Sequence, residues 1–477
     1  MRRVVLALAV LLLGGGAAAG AWYYHDQTRT REKRGSSTVE FVATAPLVPK
    51  RTPQSLATRP WPMYGYVPAR IRDAPFKLRP PFRKVWTYRV GNTIEFPPVV
   101  GYGLVFVEQI RGRFFAIHAA SGRTQWRRHF RHCAAASPTV GDGVVYQAYM
   151  QPYPCKRYPR SQRGFVVALR VRDRHGNLVP YAKVLWRFST GAVESSPLLV
   201  DGTLYFGSWN HYVYALDVSR DRLLNRTRHR LRWFRPRLRW KFHADDEVNS
   251  SPAFGNGMIY FGTDGGSVYA VDAKTGRKRW RSRSFSRFGR REYFYATPTV
   301  AYGRVYIGNT DGTVYAFGAR TGHLLWARHA GSYVYTGAAV WRKRVIVGTY
   351  DGHLIAYDAA TGDVRWKHTA PAAIHGAPSV VDGLVYYSTC PVCGSHGSRS
   401  AKRGPPGTFA VDARTGHHVW SFTDGRYSPV VADQERIYVT GRTHVYAFEP
   451  VRKHKPHMKK HKPHTKKHHK AKRRKRH

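Results

Sequence analysis

Residues 298–326 read PTVAYGRVYIGNTDGTVYAFGARTGHLLW, and this stretch decides the fold. It contains four short runs rich in β-branched and aromatic residues, separated by three turns that each carry a glycine. The pair Asp311-Gly312 favours a type I′ hairpin, because both central residues of that turn need positive φ. The stretch therefore predicts a meander of four antiparallel strands.

The same pattern recurs along the chain, and each copy closes on a tryptophan: Trp86, Trp126, Trp186, Trp240, Trp280, Trp326, Trp366 and Trp420. The intervals between these tryptophans are 40, 60, 54, 40, 46, 40 and 54 residues. A leading proline recurs as well, with Ala338 in its place once: Pro98, Pro138, Pro197, Pro252, Pro298, Pro378 and Pro429. A lone meander leaves both edges and both faces open, so repeats of this length stack on one another. The sequence predicts an all-β fold, an eight-bladed β-propeller of four-stranded antiparallel blades.

The two ends of the repeat region each hold part of one blade. Residues 84–88 contain the closing Trp86 without the three strands that should precede it, whereas residues 429–448 supply three strands without a closing tryptophan. We therefore expect the ring to close through an eighth blade shared between the ends of a propeller that spans residues 84–450.

The residue pattern of the repeat resembles that of a known family. Tyr269-Ala-Val-Asp272-Ala-Lys-Thr275-Gly276 through Trp280, and Tyr357-Asp358-Ala-Ala-Thr361-Gly362 through Trp366, resemble the pyrroloquinoline-quinone-like (PQQ-like) repeat. That family includes quinoprotein alcohol dehydrogenases, the outer-membrane assembly lipoprotein BamB, extracellular sensor domains of bacterial kinases and many exported proteins. The resemblance thus implies a fold, but not one function.

The N-terminal segment predicts export. Arg2-Arg3 precede an apolar stretch at residues 4–24, long enough for one transmembrane helix with residues 1–3 in the cytoplasm. Its length favours an uncleaved signal anchor, while Ala19-Gly20-Ala21 leaves a cleaved signal peptide open. Residues 25–83 have the composition of a linker followed by a lead-in segment. We expect a single-pass protein of the cell membrane with an extracytoplasmic propeller, or a secreted protein if the signal is cleaved.

Four cysteines fit an oxidising compartment. Cys133 and Cys155 flank one predicted hairpin, which favours a disulfide between them. Cys390 and Cys393 favour a disulfide that clamps a loop, with a metal site including His396 and redox chemistry as alternatives. Sequence alone leaves three pairings open for four cysteines.

The charge is extreme, with 79 basic and 28 acidic side chains. Residues 451–477 contain fourteen Lys or Arg, seven His and no acid, so we expect a disordered tail. A second basic concentration interrupts the third blade and predicts a basic surface: Arg220, Arg222, Arg226, Arg228, Arg230, Arg232, Arg235, Arg237 and Arg239. An anionic membrane or wall polymer is the favoured partner of these charges, and nucleic acid is disfavoured outside the cytoplasm.

The scarce acids offer one candidate ligand site at the mouth of the central channel: Glu194, Asp245, Asp246, Glu247 and Asn249. A calcium ion or a cationic ligand is conceivable there, but the favoured interpretation is that these groups balance neighbouring arginines at a blade entrance. The resemblance to quinoproteins implies a tryptophan platform, a calcium with carboxylate and amide ligands, a catalytic aspartate and a disulfide between adjacent cysteines. The sequence has no adjacent cysteines.

We therefore expect no catalytic, cofactor-binding or metal-binding residues and no cofactor. The favoured function is a non-catalytic extracytoplasmic binding or scaffold protein, whose partners are the membrane, through the N-terminal helix, and an envelope protein or anionic polymer. One alternative is a PQQ-dependent quinoprotein dehydrogenase that uses PQQ with calcium. The other is a surface protein that binds polyanions such as cell-wall polymer, anionic lipid or nucleic acid.

Overall fold

The computed structural model describes residues 14–23, 31–44, 52–155, 163–173, 175–221, 236–285, 292–390 and 401–451. These ranges contain eight sheets, each built on a blade of four antiparallel strands. Each blade follows the quoted pattern, because its β-branched and aromatic runs alternate with glycine turns. The predicted eight-bladed propeller is confirmed.

The strands of the first four blades run outward from the channel in chain order. Blade 1 comprises β3 (Val99–Gly101), β4 (Leu104–Gln109), β5 (Arg113–His118) and β6 (Thr124–His129). Blade 2 comprises β7 (Thr139–Gly141), β8 (Val144–Tyr149), β9 (Gly164–Arg172) and β10 (Leu178–Thr190). Blade 3 comprises β11 (Leu198–Val200), β12 (Thr203–Gly207), β13 (Tyr212–Asp217) and β14 (Arg237–His243). Blade 4 comprises β15 (Ala253–Gly255), β16 (Met258–Gly262), β17 (Ser267–Asp272) and β18 (Lys278–Arg283).

The next three blades repeat the order. Blade 5 comprises β19 (Thr299–Ala301), β20 (Arg304–Gly308), β21 (Thr313–Gly318) and β22 (Leu324–His329). Blade 6 comprises β23 (Ala339–Trp341), β24 (Arg344–Gly348), β25 (His353–Asp358) and β26 (Val364–Thr369). Blade 7 comprises β27 (Ser379–Val381), β28 (Leu384–Thr389), β29 (Gly407–Asp412) and β30 (His418–Phe422).

Blade 8 joins the two ends of the repeat region. It comprises β31 (Val431–Ala432), β32 (Ile437–Thr440), β33 (His444–Pro450) and, as its outer strand, β2 (Phe82–Arg89). The antiparallel register places Trp86 opposite Ala447. The inner strand β31 also contacts β3 of blade 1, so the ring closes there. The predicted shared blade is therefore confirmed.

The closing tryptophans hold neighbouring blades together, and the core lies between the blades. The indole N–H of Trp280 donates a 3.0 Å hydrogen bond to the backbone carbonyl of Ala319 in the next blade. Gly322, at φ 75°, lies against the same ring, where a Cβ would meet the indole at 2.7 Å. The same hydrogen bond recurs at four further tryptophans: Trp86, Trp240, Trp326 and Trp366. The tryptophan of one blade thus packs on the Ala-x-Thr-Gly turn of the next blade, or, for Trp86, on the Ala-x-Ser-Gly turn at residues 119–122.

The contact between the tryptophan of blade 2 and the turn of blade 3 departs from this arrangement. Trp186 donates its 2.9 Å hydrogen bond to the carboxylate of Asp221, which also accepts a 3.0 Å bond from the Tyr146 hydroxyl. Burial raises the pKa of Asp221 to about 6, against the two hydrogen bonds that favour its charged form. Trp126 is buried as well, and Trp420 is partly buried against the core.

The lead-in segment, residues 61–74, lies inside the central channel. Its backbone carbonyls accept hydrogen bonds from the inner edges of six blades, and Trp61 also donates one to Val100. The donors are the backbone N–H groups of Val100, Val140, Phe254, Val300, Val340 and Val380, in blades 1, 2, 4, 5, 6 and 7. It ends in β1 (Asp73–Ala74), which pairs in parallel with β27. A short helix, Pro53–Thr58, precedes it. The lead-in therefore fills the channel that the ring of inner strands would otherwise leave open.

Two arginines of the lead-in are almost completely buried in the channel. Arg70 is 0% exposed, and its guanidinium donates to the backbone carbonyls of Tyr64, Ser196 and Pro252. Arg72 is 1% exposed and donates to the carbonyl of Ala338 at 3.2 Å. Burial, followed by the neighbouring Arg72, lowers the pKa of Arg70 to about 9, so it remains charged at neutral pH. These cations therefore link the lead-in to several blades at once.

Residues 31–44 form a strap across blades 5 and 6, although their composition predicts a linker. Lys33 bridges to Ala327 on the outer strand β22. The buried guanidinium of Arg304 donates to carbonyl oxygens of the strap at Ser36 and Val39, both at 2.7 Å. Backbone carbonyls of the strap accept hydrogen bonds from the buried guanidinium of Arg304, and these bonds order the strap. Amino-acid composition does not reveal such contacts.

Two further predictions concern segments that lie wholly or partly outside the described residues. Residues 14–23 are helical, and no described helix is long and apolar enough to cross a bilayer, so the membrane helix at residues 4–24 stays a prediction. Residues 452–477 lie outside the described ranges, so the disorder of the tail also stays a prediction.

The predicted disulfide between Cys133 and Cys155 is present. Cys390 is disulfide-bonded too, and its predicted partner, Cys393, lies outside the described residues.

Candidate functional site

The mouth of the channel is built from one position in the repeat, three residues before the leading proline or its Ala338 substitute. Successive blades place different residues at this position: Glu95, Ala135, Glu194, Asn249, Tyr295, Tyr335, His375 and Arg426. Six of the eight line a single cavity, in which Ala135 and Arg426 take no part. The cavity is thus lined by side chains that occupy one position of the repeat and differ from blade to blade.

Stacked aromatic rings form one wall of the cavity. Tyr335 stacks on Tyr295 at 4.7 Å and on His375 at 5.0 Å between ring centroids. The Tyr350 hydroxyl lies 2.8 Å from Nδ1 of His375. Tyr64 of the lead-in also lines the cavity, and the guanidinium of Arg72 lies over its ring at 4.7 Å. The wall therefore presents aromatic faces that are held by their neighbours.

Two carboxylates flank this wall. The Tyr295 hydroxyl lies 3.4 Å from Oε2 of Glu194, and Nε2 of His375 lies 3.8 Å from Oε1 of Glu95. Burial raises the pKa of the Tyr335 hydroxyl well above its ordinary value, and the nearby Tyr295 and Glu194 raise it further. Tyr335 is therefore a neutral phenol at any physiological pH, in a local field made negative by the carboxylates.

Two polar side chains of the cavity each have an atom without a hydrogen-bond partner among the described residues. Asn249 is 5% exposed and donates from Nδ2 to Asp264 at 2.9 Å, which leaves its Oδ1 without a donor. Thr336 is 2% exposed, and its hydroxyl has no partner. The cavity they line has a volume of about 40 Å³, enough for a few water molecules or a small polar group.

The other predicted mouth residues lie apart from the cavity. Asp245 accepts hydrogen bonds from Thr263 at 2.8 Å and Ser267 at 2.6 Å, and it forms an ion pair with Arg281. Burial alone would raise the pKa of Asp245, but the bonds from Ser267 and Thr263, together with Arg281, lower it below its ordinary value.

Asp246 accepts a 2.8 Å hydrogen bond from the backbone N–H of Glu247, a bond within the loop itself. Neither residue lines the cavity. The structure therefore brings Glu194 and Asn249 together at the mouth, and it places Asp245 in a link between strands.

The described members of the predicted basic surface, Arg220, Arg237 and Arg239, lie at the opposite end, which we call the base. Inner strands begin at the mouth, so the third strand of each blade ends at the base, where the Ala-x-Thr-Gly turns lie. Arg220 follows the third strand of blade 3, and Arg237 begins its fourth. Arg239 pairs with Asp217 at 3.2 Å. Six predicted members lie outside the described residues: Arg222, Arg226, Arg228, Arg230, Arg232 and Arg235.

A broad groove also opens at the base between blades 3 and 4, with a volume of about 720 Å³. Four cations and two carboxylates line it: Arg239, Lys274, Arg279, Arg320, Asp201 and Asp272. Arg279 pairs with Asp272 at 2.6 Å. The third strand of blade 8, β33, ends at the same base, at Pro450.

Sequence reasoning singled out the acids of two blades and missed Glu95, Tyr295, Tyr335 and His375. The register of the repeat would have found them, because they occupy the same offset from the leading proline as Glu194 and Asn249. The lead-in contribution of Tyr64 carries no such signal, since its place in the channel depends on contacts with distant blades.

The mouth does not fit the quinone site that the resemblance implies. The lead-in fills the channel next to the cavity, and about 40 Å³ is far below the roughly 300–1,000 Å³ of pockets that hold organic ligands. The closing tryptophans lie between blades and offer no platform at the mouth. No group of three or more His, Cys, Asp or Glu suited to a metal ion occurs among the described residues.

Comparisons with known proteins agree on the fold. The family described as outer membrane protein assembly factor BamB matches residues 83–151, 236–337 and 310–453, more than half of the chain. The crystal structure of BamB from Moraxella catarrhalis covers 77% of this chain, with 99% of its own length, at a TM-score of 0.57 and 14% identity. A europium-containing methanol dehydrogenase covers 82% of this chain, with 98% of its own length, at a TM-score of 0.62 and 12% identity.

Curated relatives match a shorter region. A lanthanide-dependent methanol dehydrogenase from Methylacidiphilum fumariolicum is 34% identical over 107 residues, which are 21% of this chain and 16% of the relative. The chain thus matches about a sixth of that enzyme's length. The repeat, the eight closed blades and the family match lead to one conclusion: the chain belongs to the family of PQQ-like repeat β-propellers that includes BamB.

Proposed function

We propose that this chain is a non-catalytic extracytoplasmic binding or scaffold protein, held at the cell membrane by its N-terminal segment. The observation that carries the proposal is the lead-in, which occupies the channel where the enzymes of the family would need space for a cofactor. Its Arg70 and Arg72 are hydrogen-bonded to blade carbonyls, so the lead-in is part of the fold. A propeller whose channel is filled by its own chain retains two faces for binding.

A quinoprotein dehydrogenase is the alternative that the curated relatives favour, since a methanol dehydrogenase is among them. The similarity spans 107 residues, which are 21% of this chain and 16% of that relative. The poor fit of the mouth to a quinone weighs against this alternative.

Binding of an anionic polymer or lipid is a second candidate, and the base favours it. Three features lie at that end of the propeller or beside it. They are the strap, the start of β14 at Arg237, and the end of β33 before the tail. The cations of the 720 Å³ groove add to the same positive surface. We propose that the base faces the anionic envelope and that the mouth faces away from it.

We predict that the basic tail supplies most of this attraction. Deletion of Lys453–His477 removes thirteen Lys or Arg with no acidic partner in the tail, so it should sharply weaken retention on wall fragments rich in anionic polymer at about 50 mM salt. The difference should vanish near 1 M salt, where the screening length falls to about 3 Å. The melting temperature should not change. Equal retention of the two proteins at low salt would transfer the attraction to the arginines of the base and refute the role of the tail.

A further inference from the structure

A second pocket, which we call the basic pocket, opens at the mouth end of blade 1 and shares no residue with the central cavity. Its walls come from the β4–β5 hairpin, the loop after β2 of blade 8 and the loop after β8 of blade 2. Its volume is about 450 Å³, and its lining includes Asn92, Gln109, Arg111, Arg113, Arg131 and Tyr153. No carboxylate is among the described residues that line it, whereas two carboxylates line the groove at the base.

The β4–β5 hairpin reverses a charge of the repeat. The second and third strands pair in the same register in blades 1, 5 and 6, so Arg111 occupies the position of Asp311 and Asp351. Asp311 serves its own turn, because it accepts hydrogen bonds from the backbone N–H of Thr313 at 2.6 Å and from the Tyr315 hydroxyl at 2.5 Å. An arginine cannot accept such bonds, so Arg111 does not stabilise the turn in this way.

The polar groups that the pocket leaves unpaired are donors. Gln109 is 4% exposed, and its Oε1 accepts a 2.9 Å hydrogen bond from the backbone N–H of Arg111, which leaves Nε2 as the free end of the amide. Asn92 accepts a 2.8 Å bond at Oδ1 from the backbone N–H of Thr93, which leaves its Nδ2. Three guanidiniums form no hydrogen bond or ion pair with the described residues: Arg111, Arg113 and Arg131. The pocket therefore lacks an acceptor and a negative charge.

Backbone contacts hold these donors in place. Gly112, at φ 76°, lies so close to the loop before blade 2 that a Cβ would meet the His132 carbonyl oxygen at 2.2 Å. The Tyr153 N–H donates a 3.1 Å hydrogen bond to the Arg131 carbonyl, and a disulfide joins the loops that carry these two residues. The Arg111 guanidinium lies 5.1 Å from the centroid of the Tyr153 ring. A site that is already ordered loses less entropy when it binds a ligand.

The nearest acid along the chain, Glu108, does not offset these cations. Successive residues of a strand point to opposite faces, so Glu108 is directed away from the face of Gln109. Its carboxyl accepts a 2.8 Å hydrogen bond from the Tyr149 hydroxyl. Burial raises the pKa of Glu108 well above its ordinary value, although this bond acts in the other direction. The pocket therefore keeps its positive charge.

We propose that the basic pocket binds the phosphate group of a small phosphate monoester, which accepts hydrogen bonds from the three guanidiniums and from Nε2 of Gln109. Such a phosphate carries roughly −1.5 to −2 charges at pH 7 and three strong acceptor oxygens, which suits a site with several cationic donors. A carboxylate offers one charge and two oxygens. The volume of about 450 Å³ leaves room for the small body that carries the phosphate.

This site goes beyond the proposed role of the base, because it lies at the opposite end of the propeller. Variants of the pocket leave the tail and the base unchanged, so they should be retained on wall fragments as well as the intact chain. Failure of one proposal is therefore distinguishable from failure of the other.

The test is calorimetric titration of the full chain with glycerol 3-phosphate in about 150 mM salt, where a screening length of about 8 Å weakens binding to scattered surface cations. We expect one site per chain with a Kd at or below about 1 mM. Glycerol, which lacks the phosphate, should not bind. Glycerate, which carries a carboxylate instead, should bind about tenfold more weakly.

Variants locate the site. Arg111→Gln should weaken binding about tenfold, and Arg111→Asp, which restores the residue of blades 5 and 6, should abolish it. Arg123→Gln is the matched control, because it makes the same charge change at an exposed residue beside the base turn of the same blade, and it should leave the Kd unchanged. Unchanged thermal transitions would establish that all three variants are folded.

Three results would overturn the proposal: no saturable binding by the folded chain, equal binding of glycerate, or the same Kd in the Arg111→Gln and Arg123→Gln proteins. A diester, glycerophosphoglycerol, that binds as tightly as glycerol 3-phosphate would overturn the assignment to a monoester and make the pocket a phosphodiester site.

Discussion

Deletion of Lys84–Val90 should abolish the monomeric fold. This change removes most of β2, the outer strand of blade 8, so β33 becomes the exposed outer edge of that blade. It also removes Trp86, whose indole donates to the Ala119 carbonyl and packs on Gly122 of blade 1. An exposed strand edge pairs with other chains, so we expect aggregation on size-exclusion chromatography and loss of the cooperative thermal transition.

The tail deletion, Lys453–His477, is the control for this experiment, because it removes more residues, all of them after the last strand. It should elute as a monomer with an unchanged melting temperature. A monomeric Lys84–Val90 deletion with the same melting temperature as the intact chain would show that the shared blade does not close the ring.

Replacement of Arg70 by methionine should produce the largest loss among single substitutions. The side chain is fully buried, and its guanidinium is shared among three backbone carbonyls. Leaving buried acceptors without donors should lower the free energy of unfolding by about 3–5 kcal/mol. Denaturant unfolding followed by tryptophan fluorescence measures this difference.

The matched control is Arg279→Met, which removes the same groups from a half-exposed ion pair with Asp272. Surface pairs of this kind contribute about 1 kcal/mol or less. Arg70→Lys should fall between the two, because lysine keeps the charge but lacks the planar fork that reaches several carbonyls. Equal stability of the Arg70→Met and Arg279→Met proteins would mean that Arg70 does not hold the lead-in in the channel.

The sequence predicted the features that the repeat itself encodes. The blades, the shared closure through Trp86 and the Cys133–Cys155 bridge all follow from spacing, because each depends on residues whose partners occupy a fixed register. The packing of each tryptophan on the glycine turn of the next blade is encoded in the same spacing. A Cβ at that glycine would collide with the indole, which explains why the turn and the tryptophan recur together.

Features outside the repeat were not predictable in this way. The lead-in and the strap contain ordinary polar residues, and their positions depend on inner edges and carbonyls contributed by distant blades. Buried arginines contradict the usual exposure of that residue, so Arg70, Arg72 and Arg304 gave no sequence signal. At the mouth, Glu194 and Asn249 stood out because acids are scarce, but the partner that ties Asp245 to Arg281 lies on another strand.

Spectroscopic titration of the purified chain with PQQ and calcium, combined with an assay of alcohol-dependent dye reduction, tests the central claim most directly. The lead-in, held by Arg70 and Arg72, fills the channel, and the mouth admits only a small group. We therefore predict no stoichiometric quinone band and no reduction of dye above the rate of the protein-free control. Binding of one PQQ per chain with turnover of alcohol would contradict it and would make the protein a quinoprotein dehydrogenase.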